Sequence, residues 1–80
     1  MKKPKLPKAL VLDRLFLTFK FTEYFLILLD SLDTALLFGD IKEENQKIAK
    51  DILNELKTII PQLKHLEEMC RILYYKEGGK

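Results

Sequence analysis

FGDIKEEN, residues 38–45, is the clearest break in a sequence otherwise dominated by helical periodicity. Glycine lacks the Cβ that penalises the left-handed conformation at helix ends, so Gly39 predicts a helix C-terminus. Asp40 is of the residue type that caps a following helix, and Glu43 stands at the three-residue spacing of a capping box. The stretch therefore predicts a helix over 8–38, a turn at 39–40 and a second helix over 41–76. So short a connection makes the two helices antiparallel neighbours.

Beyond the turn, Ala49, Ile52, Leu56, Ile59, Leu63, Leu66, Cys70 and Leu73 recur at alternating steps of three and four, as a heptad seam requires. Ile48 and Met69 widen the stripe on one flank, and Leu53, Ile60 and Tyr74 widen it on the other. That width suits a helical bundle better than a two-stranded coiled coil. Pro61 lies inside the pattern, where it removes a backbone hydrogen bond and crowds the preceding turn. The seam keeps its phase across it, and Pro61 falls at the outermost heptad position, which predicts one helix bent near Pro61. A break into two helices near residue 60 is the alternative.

Before the turn, Phe25, Leu28, Leu29, Leu32, Ala35 and Leu36 share one helical face, opposite Glu23, Ile27, Asp30, Ser31 and Thr34. Residues 9–22 are more ambiguous, because LFLTFKFT (15–22) alternates as a strand does. A lone strand would find no sheet in this chain, so helix is the expectation. With the fold-back at 39–40, Leu32 should oppose Ile48, Leu28 should oppose Ile52, and Phe21 should oppose Ile59. The same register sets Asp30 near Lys50 and Glu23 near Lys57.

FTEYFLILLDSLDTALLF (21–38) holds twelve residues of the A, I, L, F and Y types, three acids and no base, which raises the question of what it is buried against. A membrane-spanning helix needs about 20 mainly apolar residues without central carboxylates, and Asp30 and Asp33 fall inside the run. ALVLDRLFLTFKF (9–21) follows a basic start, as a secretory signal would, but Asp13 and Arg14 interrupt it and no small-residue cleavage site follows. With both alternatives rejected, a cytoplasmic protein without a transmembrane span is expected.

A chain of 80 residues is close to the size at which one core needs outside support. A single cysteine excludes an intramolecular disulfide framework, and structural zinc sites usually take several thiolates or histidines. A protein partner is the support that remains. Two helices cover one stripe each, and the chain is 48% hydrophobic, so Phe16, Phe19, Leu26, Leu37, Ile60 and Tyr74 are expected to be left for that partner. The expected fold is all-α: an antiparallel helical hairpin, completed as a four-helix bundle by a second copy or by docking on a larger protein.

Catalytic chemistry finds little footing in the sequence. His65 is the only histidine and takes an exposed heptad position. Glu67 and Glu68 lie nearby, but the Glu-x-x-His spacing of di-iron bundles is missing because position 62 is Gln. Cys70 lies on the seam, as a small core residue would. No enzyme activity, cofactor or metal is expected. The expected function is that of a non-enzymatic interaction protein, homodimeric or an accessory subunit of a larger assembly.

The alternative function is a nucleic-acid-binding accessory factor. Lys2, Lys3, Lys5 and Lys8 place four positive charges in MKKPKLPK, against a net charge of +2 for the whole chain. Pro4 and Pro7 favour extended backbone, so residues 1–7 read as a flexible basic tail. Lys50, Lys57, Lys64 and Arg71 then recur every seven residues along one helix edge, about 10.5 Å apart at the helical rise. Tail and edge together could track phosphates, although Asp51, Glu55, Glu67 and Glu68 are interleaved with the edge.

Overall fold

The computed structural model describes residues 5–80. Two helices of 31 residues each, α1 (Lys8–Phe38) and α2 (Gln46–Lys76), pack against one another as an antiparallel hairpin, with a 3-10 turn over Glu43–Asn45 before α2. No strand occurs among the described residues. Lys2 and Lys3, and with them most of the basic tail, lie outside the described residues.

α1 starts directly after Pro7, whose ring pre-sets φ at −60° and whose carbonyl accepts from the amides of Leu10 and Val11 at 3.1 and 3.2 Å. The strand-like LFLTFKFT is helical throughout. Its threonines do not break the helix because their hydroxyls donate back one turn. Thr18 Oγ1 reaches the Arg14 carbonyl at 2.7 Å, and Thr22 Oγ1 reaches the Thr18 carbonyl at 2.6 Å. Thr22 can therefore sit half-buried in the helix contact with its polar atom satisfied.

The connection between the helices differs from the expected tight turn. Gly39 is extended, with φ −78° and ψ 163°, and not left-handed. Glycine is still needed there, because its amide donates to the Ala35 carbonyl at 2.7 Å and an added Cβ would run into that same oxygen. Asp40 caps nothing: Asn45 is the residue that precedes α2, and it makes no side-chain capping bond. The physical reason is Ile41, which is half-buried and lines a groove with Leu36, Ala49 and Ile52. Covering that apolar side chain takes extended backbone before α2 can begin. Gln46 fastens the loop by donating from Nε2 to the Ile41 carbonyl at 2.9 Å.

With the longer loop, the helices do not keep the expected pairing. Asp33, and not Asp30, shares a groove with Lys50 and Lys57, while Glu23 pairs with Lys20 of its own helix at 3.7 Å. At the open end, Lys8 meets Glu77 at 3.7 Å.

Rotation of the helices also departs from the expected seam. The buried and half-buried positions of α2 are Ala49, Leu53, Leu56, Ile60, Leu63, Glu67, Cys70 and Tyr74. Ala49, Leu56, Leu63 and Cys70 keep their central place. However, the second row of the seam is Leu53, Ile60, Glu67 and Tyr74, and the row Ile52, Ile59, Leu66 and Leu73 faces solvent. α1 answers, after half-buried Leu10, with Leu12, Leu15, Phe19, Thr22, Leu26, Leu29, Asp33 and Leu36 at steps of three and four. Pro61 interrupts neither element: α2 runs unbroken through it, with Pro61 and Lys57 both exposed, so that water can reach the carbonyl left unpaired.

The C-terminus of α2 is closed by a glycine cap. Gly78 has φ +101°, its amide donates to Tyr75 O at 3.2 Å, and the Gly79 amide donates to Tyr74 O at 2.9 Å. This pair of bonds is the Schellman arrangement, in which a left-handed glycine turns the chain back over the last helical turn. Tyr74 holds the returning chain by donating from its hydroxyl to the Lys80 carbonyl at 3.1 Å.

Candidate interaction surface

Only Phe19, Leu29, Ala49 and Leu56 are buried among the described residues, so most of the apolar content of the chain lies on or near the surface. Its distribution over that surface is uneven. An antiparallel pair turns the same flank of both helices to the same side, so residues immediately before the inward rows form one broad face and residues immediately after them form the other.

The first face is apolar. α1 contributes Val11, Phe21, Phe25, Leu28 and Leu32, of which Phe21 is 67% and Leu28 62% exposed. α2 contributes Ile48, Ile52, Ile59, Leu66, Met69 and Leu73, all exposed. Leu36, Ile48 and Ile52 line one groove together, which joins the two helices on this side at the loop end. Arg14, Thr18, Glu55 and Gln62 are the polar residues within these rows.

The opposite face carries most of the charge, interspersed with exposed Phe16, Ile27, Leu37 and Tyr75. Asp33, Leu37, Lys50 and Lys57 share a groove there, and Lys64 and Arg71 continue the row along α2. All four cations of the row are exposed. Arg71 is engaged by its own helix, its Nε donating to Glu67 Oε1 at 3.1 Å.

An aromatic cluster locks the open end. Phe19 is 1% exposed and meets Phe16 at 5.4 Å between ring centroids and Tyr74 at 5.5 Å, both edge to face. Tyr75 adds a second contact to the Tyr74 ring at 5.1 Å. Lys20 Nζ lies 5.8 and 5.6 Å from the Phe16 and Phe19 centroids, within reach of a cation–π attraction.

These positions revise the set of residues expected to be left for a partner. Phe19 is buried, and Leu26, Ile60 and Tyr74 are half-buried, because all four lie in the hairpin's own seam. Phe16 belongs to the aromatic cluster and stays partly exposed, and Leu37 lies exposed on the charged side. The apolar face instead consists of residues the heptad pattern had put inside. Both flanks of α2 are apolar, so its sequence alone leaves open which one turns inward. The signal that could have decided is the pairing of Phe19 with Tyr74 at the open end, a contact between residues far apart in sequence.

Of the expected phosphate-contacting residues, Lys5, Lys8, Lys50, Lys57, Lys64 and Arg71 are all exposed. His65 is exposed and Cys70 is a free, half-buried thiol in the seam. Among the described residues, no three His, Cys, Asp or Glu side chains converge to hold a metal ion, and no helix is long and apolar enough to cross a membrane. No family model, curated protein or solved structure matches this chain.

Proposed function

We propose that this chain is a non-enzymatic interaction protein that docks through the apolar face of its hairpin. The observation that carries the reading is the continuity of that face: exposed large side chains run along both helices on one side, from Phe21 to Leu32 and from Ile48 to Leu73. A contiguous exposed apolar surface of this extent is uncommon on a lone soluble domain and marks a surface that another molecule covers. The chemistry of the contact would be burial of aliphatic and aromatic side chains, with Arg14, Thr18, Glu55 and Gln62 as the polar residues among them.

A second reading, an accessory factor that follows nucleic-acid phosphates, draws support from the exposed row Lys50, Lys57, Lys64 and Arg71 on the other side of the slab. The two readings use opposite faces and can be tested separately. For the first, binding of a hydrophobic dye and association of the purified chain are measured for wild type and for Ile59→Glu, which charges the apolar face. The proposal expects wild type to associate or to bind the dye, and the variant to lose that property. A wild-type chain that is monomeric, does not aggregate and binds no dye would overturn it.

A further inference from the structure

We infer that the occupant of the apolar face is a second copy of this chain, packed face to face about a two-fold axis to close a four-helix bundle. The inference rests on the proposed docking role and adds the identity of the partner. Three observations lead to it.

The first is size. Each 31-residue helix is about 46 Å long, and two helices side by side are about 20 Å wide, so the face offers roughly 900 Å². A standard stable interface takes about 800 Å² from each partner. One further two-helix layer would therefore cover the whole face, and the flat shape of the molecule, 57 × 32 × 15 Å, presents nothing that would hold it away.

The second is period. Ile52, Ile59, Leu66 and Leu73 stand seven residues apart on α2, and Phe21 and Leu28, then Phe25 and Leu32, stand seven apart on α1. Rows with that repeat interlock with helices of the same repeat, as knobs into holes. A second copy supplies two such helices already at the right spacing. A two-fold axis uses the same patch on both copies and leaves neither uncovered.

The third is charge. A face that pairs with itself must not carry an excess of one sign, since like charges brought together across an interface oppose it. The apolar rows hold one base, Arg14, and one acid, Glu55.

The experiment is native mass spectrometry and sedimentation equilibrium on the full chain, with thermal unfolding recorded over a wide range of protein concentration. The expected result is a dimer whose melting temperature rises with concentration, as linkage between folding and assembly requires. Ile59→Glu should give monomers. Because that variant could also lose its fold, the milder Phe25→Ala is run beside it and should raise the dimer dissociation constant at least about tenfold. Leu37→Glu, on the charged face, should leave the dimer intact. A concentration-independent monomer overturns the second copy. If that monomer binds hydrophobic dye and Ile59→Glu abolishes the binding, the docking role itself survives. A dimer insensitive to both Ile59→Glu and Phe25→Ala overturns the inference and the assignment of the docking face together.

Discussion

Phe19 shows how much one side chain contributes in so thin a molecule. At 1% exposure, with Phe16 and Tyr74 rings against it, it fills the open end of the hairpin. Truncating a buried phenylalanine costs about 3–5 kcal/mol through lost transfer energy and the cavity left behind. Phe19→Ala should therefore remove most of the helical circular dichroism at room temperature, whereas Leu37→Ala, at a position 56% exposed, should shift urea unfolding by no more than about 0.5 kcal/mol. Leu56, 4% exposed, is the corresponding anchor of α2. Leu56→Asp buries an unpaired carboxylate there and should unfold the chain, as read by the same signal. Smaller and local is the effect expected at Gly78. Its φ of +101° is strained for any residue with a Cβ, so Gly78→Ala should cost about 1 kcal/mol of cap stability and speed hydrogen exchange of the Gly79 amide.

At the scale of the elements, α2 is notable for continuing through a proline. Pro61 is exposed and its missing bond faces solvent, so nothing in the packing depends on it. Pro61→Ala should raise the melting temperature, since proline in a helix interior is about 3 kcal/mol less favourable than alanine. A fall would mean that the helix needs the proline to follow its partner. The loop carries its own test. Gln46→Ala removes the amide that holds the Ile41 carbonyl and should cost about 1 kcal/mol, the net value of one such bond, in chemical denaturation. The antiparallel hairpin was legible in the apolar periodicity of residues 25–36 and 49–73 and in Gly39, whereas residues 9–22 read as helix only because a strand there would have had no sheet to join. The capping box was not formed, because Ile41 needed cover more than Asp40 needed a helix to cap.

At the scale of the molecule, one face of the flat slab is mainly apolar and the other carries most of the charge, with Phe16, Ile27, Leu37 and Tyr75 exposed on it as well. Salt separates the two roles those faces suggest. Contacts to duplex phosphates weaken steeply as salt rises, each neutralised phosphate adding about −0.9 to the slope of log K against log salt. Association through the apolar face should instead survive a rise from about 0.1 to about 0.5 M salt, because burial of aliphatic groups is not screened. Charge reversal at Lys57 should leave the assembly unchanged under sedimentation while Ile59→Glu disrupts it. Salt-sensitive duplex binding that is lost on reversing Lys57 and Lys64, with no association through the apolar face, would favour the phosphate-tracking role.

The sequence by itself determined that the chain is helical, that it folds back once, and that its helices hold more apolar surface than they can cover for each other. Each of these follows from local spacing: steps of three and four along one helix, a glycine between two such runs, and a count of apolar residues set against one contacting stripe per helix. Only the tertiary structure decided which apolar row is inside. Ile52, Ile59, Leu66 and Leu73 compete with Leu53, Ile60, Glu67 and Tyr74 for the same neighbour, and local spacing admits both. The choice is made where distant parts of the chain meet: Ile41 tucks against Leu36 and Ala49 at the loop, and Phe19 settles between Phe16 and Tyr74 at the open end. These two contacts set the rotation of both helices about their axes, and with it the face that is left uncovered.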